Sequence, residues 1–367
     1  MDIFENVLDA LQEENRVMLA TIISTSGSTP ASAFSKMLVK NNGNTWVGTV
    51  GGGCLEGDVV QAAKRLHGTN KAEVLSFHLN EDEFVQGLVC GGSLDVLVEP
   101  VTKDDIPFIE SLSRRRNSGE DSVVATLLAR NGEILLKQII DSEKDIFKAA
   151  TPEVEHPSMV EELHKVFHRN VTRRITVSNG ELILEPIAGT PGLIIFGGGH
   201  VSRYITKAAT MAGFRVTVVD DRKQYANPER FPGATQTLAV DFAEAFDHIS
   251  VKSSTSIVIV TRGHQYDENI LEQAVKTPAR YIGMIGSKRK VLKTHEHLKQ
   301  RGISPESLAR VQAPMGIEIG ATSAEEIGIS IVAQLIAVRR GEKSPYVDKS
   351  EKIHQFLITS ESIHSNQ

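Results

Sequence analysis

The apolar positions of Ile3 to Leu11 fall at helical spacing, and the β-branched run Val17–Ser24 reads as a strand that empties into the turn-rich Ser26-Gly27-Ser28-Thr29-Pro30. Short strands are predicted at Lys36–Lys40 and Thr45–Val50, the second leading straight into Gly51-Gly52-Gly53. From Leu55 to Leu66 the period becomes that of a helix, with Leu55, Val59, Ala62, Ala63 and Leu66 on one face. Cys54 is therefore expected where a strand gives way to a helix. Alternation over Leu94–Val98 predicts a further strand, which Glu99-Pro100 ends, and a first domain closes near residue 105.

Residues 106–190 carry smaller α/β material. Helices are predicted over Ile106–Arg116 and Val160–Phe167, and strands near Val123–Leu128, Glu133–Leu136, Arg174–Val177 and Leu182–Glu185. The segment Ala188-Gly189-Thr190-Pro191-Gly192 punctuates the chain as a junction. Beyond it come strand Leu193–Phe196, turn Gly197-Gly198-Gly199, helix His200–Ala212, strand Phe214–Val219 and the acidic end Asp220-Asp221. That is a βαβ unit with dinucleotide-fingerprint spacing, in which Ser202 takes the third position, where Gly or Ala is usual. Apolar runs at Ser256–Val260 and Tyr281–Ile285 predict more parallel strands, followed by the turns Thr261-Arg262-Gly263-His264 and Gly286-Ser287-Lys288-Arg289. Ser323 and Glu326 form a capping box before an apolar helix Ala324–Val338. The expected fold class is α/β: an N-terminal α/β domain with cysteine/glycine nests, plus a C-terminal Rossmann-like doubly wound parallel sheet. The expected division is a domain at 1–105, a connecting α/β segment at 106–190, the Rossmann-like domain at 191–341 and a polar tail at 342–367.

Composition narrows the function. The chain has 367 residues with 40 basic against 46 acidic, a net charge of −6, and no Lys/Arg block or aromatic–basic interleaving, so nucleic acid is not an expected partner. The start, Met-Asp-Ile-Phe-Glu-Asn, is acidic where a signal peptide is basic, and no apolar run approaches membrane length; a cytoplasmic protein is expected. Two cysteines make no disulfide framework, and without Cys-x-x-Cys or paired histidines there is no structural zinc signature.

Both cysteines lie among glycines, in Gly51-Gly52-Gly53-Cys54 and in Cys90-Gly91-Gly92. An isolated cysteine is ordinarily a small buried apolar residue, but two in matching surroundings favour a functional use. Glycine runs let backbone N–H groups converge on an anion or approach a bulky ligand, and the helix start after Gly53 favours negative charge. The two thiols could alternatively form a redox pair. In the second half, Gly197, Gly198, Gly199 and His200 build the candidate phosphate turn, and Asp220 is placed for a ribose hydroxyl. His264 could face the crevice, and Ser287 with Lys288 stands beside a helix start suited to phosphate. NAD or another nucleotide is the expected ligand there, and an NAD-dependent oxidoreductase is the alternative function.

The chain resembles the XdhC/CoxI family of xanthine dehydrogenase accessory factors. The matching stretches are Gly48-Thr49-Val50-Gly51-Gly52-Gly53-Cys54-Leu55-Glu56, Val89-Cys90-Gly91-Gly92, Leu97-Val98-Glu99-Pro100, Phe196-Gly197-Gly198-Gly199-His200-Val201, Val219-Asp220-Asp221-Arg222, Thr261-Arg262-Gly263-His264, Tyr281–Lys288 and Pro314–Ala321. One loop departs from the family pattern: Ala31-Ser32-Ala33-Phe34-Ser35 stands before Lys36-Met37, where an arginine and a glycine are common. The resemblance implies a non-catalytic chaperone that carries molybdenum cofactor (molybdopterin) as cargo, supports its sulfuration and hands it to a xanthine dehydrogenase-type molybdenum hydroxylase. It implies a cysteine desulfurase as a further partner and Cys54 as a molybdenum contact, while the two-domain chain with its apolar terminal helix makes a homodimer the expected assembly.

Overall fold

Helix α1 (Ile3–Glu13) starts where the sequence supplies its own cap. Asp2 accepts from the Phe4 N–H and Glu5 reaches back to the Asp2 N–H, both at 3.4 Å, satisfying two of the donors a helix start leaves open. The computed structural model describes residues 2–78, 92–141, 158–169 and 171–340, which divide into two compact units, Met1–Gly189 and Thr190–Gln367.

In the first unit β1 (Arg16–Ser26), β2 (Lys36–Lys40), β3 (Thr45–Gly48), β4 (Glu73–His78) and β5 (Ser93–Thr102) form an antiparallel sheet of order β3-β2-β1-β5-β4. Alternation gives it two buried faces. Met18, Ala20, Ile22, Met37, Val39, Val96 and Val98 pack on α2 (Gly53–Leu66) through Leu55, Val59, Ala62 and Ala63. Val17, Leu19, Leu38 and Val101 face α1 and α3 (Ile106–Ser118). The second sheet, of order β7-β6-β9-β8, comprises β6 (Ser122–Ala129), β7 (Ile134–Ile140), β8 (Arg173–Val177) and β9 (Gly180–Ile187), with Leu163 and Val166 of α4 (Ser158–Arg169) against it. Val124 and Ile187 share one core cluster with Phe4, Leu11 and Ile109, so residues 106–189 fold into the same compact unit as the N-terminal strands. Between the sheets two lysines meet buried carboxylates, Lys36 with Glu185 and Lys137 with Glu99, each at 2.6 Å.

Contrary to the sequence reading, β5 does not stop at Glu99-Pro100. It runs on to Thr102, with Pro100 opposite Met18, and β4 pairs with β5 only as far as Val98. The missing proline N–H thus falls where the strand has one neighbour, the position in which a strand tolerates proline.

The second unit holds six parallel strands, β10 (Gly192–Phe196), β11 (Arg215–Asp220), β12 (Gln236–Ala239), β13 (Ser256–Ile259), β14 (Tyr281–Met284) and β15 (Val311–Gln312), in the order β12-β11-β10-β13-β14-β15. Counted within the unit this is 3-2-1-4-5-6, the doubly wound Rossmann order. Leu193 and Ile195 point to a core shared with α5 (His200–Met211) and α9 (Ala324–Arg340), while Ile194 and Phe196 point to one shared with α6 (His264–Ala274) and α7 (Lys288–Gln300). Cover on both faces explains why these strands read as uninterrupted apolar runs. A short helix α8 (Pro305–Ala309) precedes β15. The strand order reverses between β10 and β13, which opens a crevice at their carboxyl ends. No helix among the described residues is long and apolar enough to cross a membrane.

Candidate functional sites

The first site lies at one end of the antiparallel sheet. The register places Ser26 opposite Ser93 and Ser93 opposite His78, with Lys36 beside Thr21 and Gly48 beside Met37, so the turns after β1 and β3 and the ends of β4 and β5 gather there. Gly51 has φ 125° and packs so closely on Pro30 that a Cβ would stand 2.8 Å from Pro30 Cγ. A Cβ on Gly92 would run into the carbonyl oxygens of Ser26 and Ser28. Gly51 and Gly92, one from each of the two predicted glycine segments, therefore close on a single loop, Ser26–Pro30. Cys90 and Gly91 lie outside the described residues, between His78 and Gly92.

Gly52 and Gly53, at φ 78° and 56°, carry the chain into α2 in a left-handed backbone that glycine adopts at no cost, and a Cβ on either would meet no atom within 4 Å. Cys54, the second residue of that helix, is exposed. Glu56 caps the turn: it accepts from Thr49 Oγ1 at 2.5 Å and from the Gly52 N–H at 3.2 Å, while the Gly51 N–H donates to Thr49 Oγ1 at 3.1 Å. In the loop that departs from the family pattern, Phe34 has φ 72°, a backbone in which glycine is at ease and a bulky side chain is strained. Among the described residues no three His, Cys, Asp or Glu side chains are grouped to hold a metal ion. An exposed soft thiol beside glycines with open space, at the amide end of a helix, suits a bulky anionic ligand with a soft centre.

The second site is the crevice of the parallel sheet. Gly197 has φ 104°, donates its N–H to Val219 O at 2.7 Å, and leaves no room for a Cβ, which would lie 2.6 Å from Val260 O. Ser202, the residue where the fingerprint has Gly or Ala, is buried and donates its hydroxyl to Gly197 O. Gly198 sits against Tyr225, whose carbonyl a Cβ would overlap. Its N–H donates to Asp220 Oδ2 at 2.8 Å and its carbonyl accepts from Arg230 Nε at 2.9 Å. Gly199, at φ −69°, begins α5 without a side-chain cap and without a Cβ neighbour within 4 Å.

Asp220, predicted to take a ribose hydroxyl, is 1% exposed. Besides Gly198 it accepts from the Arg222 N–H at 3.0 Å, from Nε at 2.9 Å and from Nη2 at 3.1 Å, and Arg222 lies 3.7 Å over the Tyr225 ring. The neighbouring Asp221 is less buried, with 19% of its side chain exposed. Arg262 donates to both its oxygens, at 2.6 and 2.7 Å, and to Tyr266 Oη at 3.0 Å. That hydrogen bond is the main reason the Asp221 carboxyl is held below its ordinary range and the Arg262 guanidinium above its own. Sequence reasoning did not single out this pair; its signal was the second acid of the Asp220-Asp221 doublet and the arginine of Thr261-Arg262-Gly263-His264.

His200 is exposed and meets Tyr204 edge-on at 5.3 Å. Tyr204 in turn hydrogen-bonds Glu325, which holds that carboxyl low. His264 is the exposed first residue of α6. Ser287 caps α7 by accepting from the Lys290 N–H at 3.4 Å, and Lys288 is the first residue of that helix. Beneath these turns Asp267, fully buried, accepts from Thr261 Oγ1 at 2.6 Å and pairs with Lys290 Nζ, which ties the turn after β13 to the helix after β14.

The strand order, the glycine turn and the doubly covered sheet define a Rossmann-type unit joined in one chain to an α/β unit with an exposed cysteine at a glycine turn. A family model described as the XdhC Rossmann domain matches residues 193–335, and one described as the XdhC and CoxI family matches residues 10–78. The chain belongs to the XdhC and CoxI family. Over 92% of its length and 98% of the relative's, it is 26% identical to a protein of Bacillus subtilis (strain 168) that is named as a probable xanthine dehydrogenase subunit. The uncharacterized protein YqeB of Escherichia coli (strain K12) is 33% identical over 41% of this chain, which spans only 27% of that longer protein. Among solved structures, one described as a xanthine dehydrogenase from Bacillus halodurans superposes with a TM-score of 0.73 at 27% identity, covering 94% of this chain and 97% of the other.

Proposed function

We propose that the protein is an accessory factor for a xanthine dehydrogenase-type molybdenum hydroxylase: it holds molybdenum cofactor at the Gly51–Cys54 turn while a cysteine desulfurase supplies the terminal sulfur, and then delivers the cofactor. The observation that carries this reading is an exposed thiol at a helix start where Gly52 and Gly53 lack any Cβ neighbour within 4 Å, on a turn that shares its supporting loop with Gly92. Family membership and the names of the full-length relatives support it. Chemically, the thiol offers the soft ligand that molybdenum prefers, and the dipole of the helix start favours the cargo's phosphate. No bond in the cargo need be made by this chain, so activation of the hydroxylase is stoichiometric.

The test is binding of molybdenum cofactor to reduced full-length protein and to Cys54→Ala, followed by transfer to an apo-hydroxylase. The wild type is expected to bind and transfer; Cys54→Ala is expected to keep its circular dichroism spectrum and lose cofactor at least about ten-fold. Unchanged retention in the variant would sink the assignment. A second reading concerns the other unit: strand order and the Gly197–Gly199 turn favour a nucleotide, NAD included, in its crevice. Steady oxidation of NADH with a thiol or pterin acceptor would move the whole protein to the oxidoreductase class.

A further inference from the structure

The charges around the crevice of the second unit are not arranged as its fingerprint alone suggests. The acid at the end of β11 that ordinarily meets ribose is Asp220, yet Asp220 is buried and committed to Gly198 and Arg222. Asp221 is the less buried of the two, with 19% of its side chain exposed against 1% for Asp220, and its partner Arg262 comes from the turn after β13. Since β10 lies between β11 and β13 in the sheet, the two-bond link from Arg262 to Asp221 passes across the carboxyl end of β10. There α5 begins at Gly199, whose missing side chain serves neither backbone nor packing: its φ is ordinary and a Cβ would meet nothing within 4 Å. A ligand approaching the backbone is what that gap accommodates.

Resting on the nucleotide reading of this crevice, we infer that Asp221, not Asp220, is the ribose acceptor and that Arg262 is a latch over the nucleoside site. An unmodified ribose diol replaces the guanidinium on Asp221, with the phosphate over Gly199 and the first amides of α5. The displaced Arg262 keeps its place over the Tyr266 ring, from whose centre it lies 4.6 Å. A 2′-phosphate is refused, because it would be set against the Asp221 carboxylate.

Titration calorimetry on the full-length protein with NAD and NADP tests this. The wild type is expected to prefer NAD by at least about ten-fold, one charge-assisted hydrogen bond's worth. Asp221→Asn removes the repelling anion and unlatches Arg262, so it is expected to reverse the preference in favour of NADP. Arg262→Ala is expected to bind NAD about ten-fold more tightly, since no ion pair has to be broken. Gly199→Val is expected to weaken both nucleotides while the melting temperature holds. If NAD binds and neither Asp221→Asn nor Arg262→Ala changes its affinity or its ratio to NADP, the assignment falls and the nucleotide site stands. If the folded wild type binds neither nucleotide, the reading beneath it falls as well.

Discussion

Three successive glycines in one turn answer three different demands. Gly197 needs both a left-handed backbone and a close approach to Val260; Gly198 needs only the approach, to Tyr225; Gly199 needs neither. Spacing in the sequence shows the triplet but not this division, because the atoms that exclude a Cβ come from the turn after β13 and from the segment after β11. The Asp220-Asp221 doublet divides in the same way. Asp220→Asn puts a neutral amide where a buried carboxylate serves Gly198 and Arg222 together, and is expected to cost about 3 kcal/mol, read as a lower urea midpoint at unchanged slope. Asp221→Asn breaks a pair with a largely exposed arginine and is expected to cost less than about 1 kcal/mol. Equal losses would mean that both acids are structural.

At the scale of elements, what was legible follows burial. The strands and helices that fill both cores, such as Leu193–Phe196 and Leu55–Leu66, announced themselves by period. β4, β12 and β15 did not, since the first two are half-exposed edge strands and the third is two residues long. The Cys54 turn was legible because a strand signal, three glycines and a helix signal adjoin in the chain. Its partner loop Ser26–Pro30 was not, because only the antiparallel register brings it near. The family stretch Pro314–Ala321 likewise has no local period, and its place is set by α9. Gln334 on that helix accepts from Tyr281 Oη at 2.6 Å and from the Gly316 N–H at 2.7 Å, and Ser330 Oγ donates to Ile317 O at 2.6 Å. Gln334→Leu fits the apolar surroundings yet strips a buried N–H and a buried phenol of their acceptor. A loss of about 2 kcal/mol is expected in equilibrium unfolding; a neutral result would show that the segment after β15 does not depend on Gln334.

For the molecule as a whole, the ionisations give the pH dependence of stability a definite sign. Asp221 is held low chiefly by Arg262, Glu325 chiefly by Tyr204, Glu326 by the Thr322 and Ser323 amides, and Glu306 by its own backbone amide. A carboxylate whose folded pKa lies below its unfolded one stabilises the fold above the unfolded value, and that contribution is lost as pH falls through the folded value. The raised groups, Lys165, Arg174, Arg222 and Arg262, act in the opposite direction and lose their contribution only as pH rises past values above their ordinary ones, far on the alkaline side. Stability is therefore expected to be flat around neutrality and to fall below about pH 4, where ordinary carboxylates begin to bind protons. The glutamates stand at exposed helix starts and salt screens them readily; the Asp221 carboxylate, with 19% of its side chain exposed, is screened less although its arginine partner is exposed. Urea midpoints measured at pH 7 and pH 3, in low and in 0.5 M-range salt, separate the two. Arg262→Ala is expected to shrink the salt-resistant part of the acid loss, because Asp221 then titrates nearer its unfolded value. An acid loss that high salt abolishes entirely in the wild type would assign it to the glutamates and leave the Asp221 link without weight in the fold, in which case it is held in place for the ligand and not for stability.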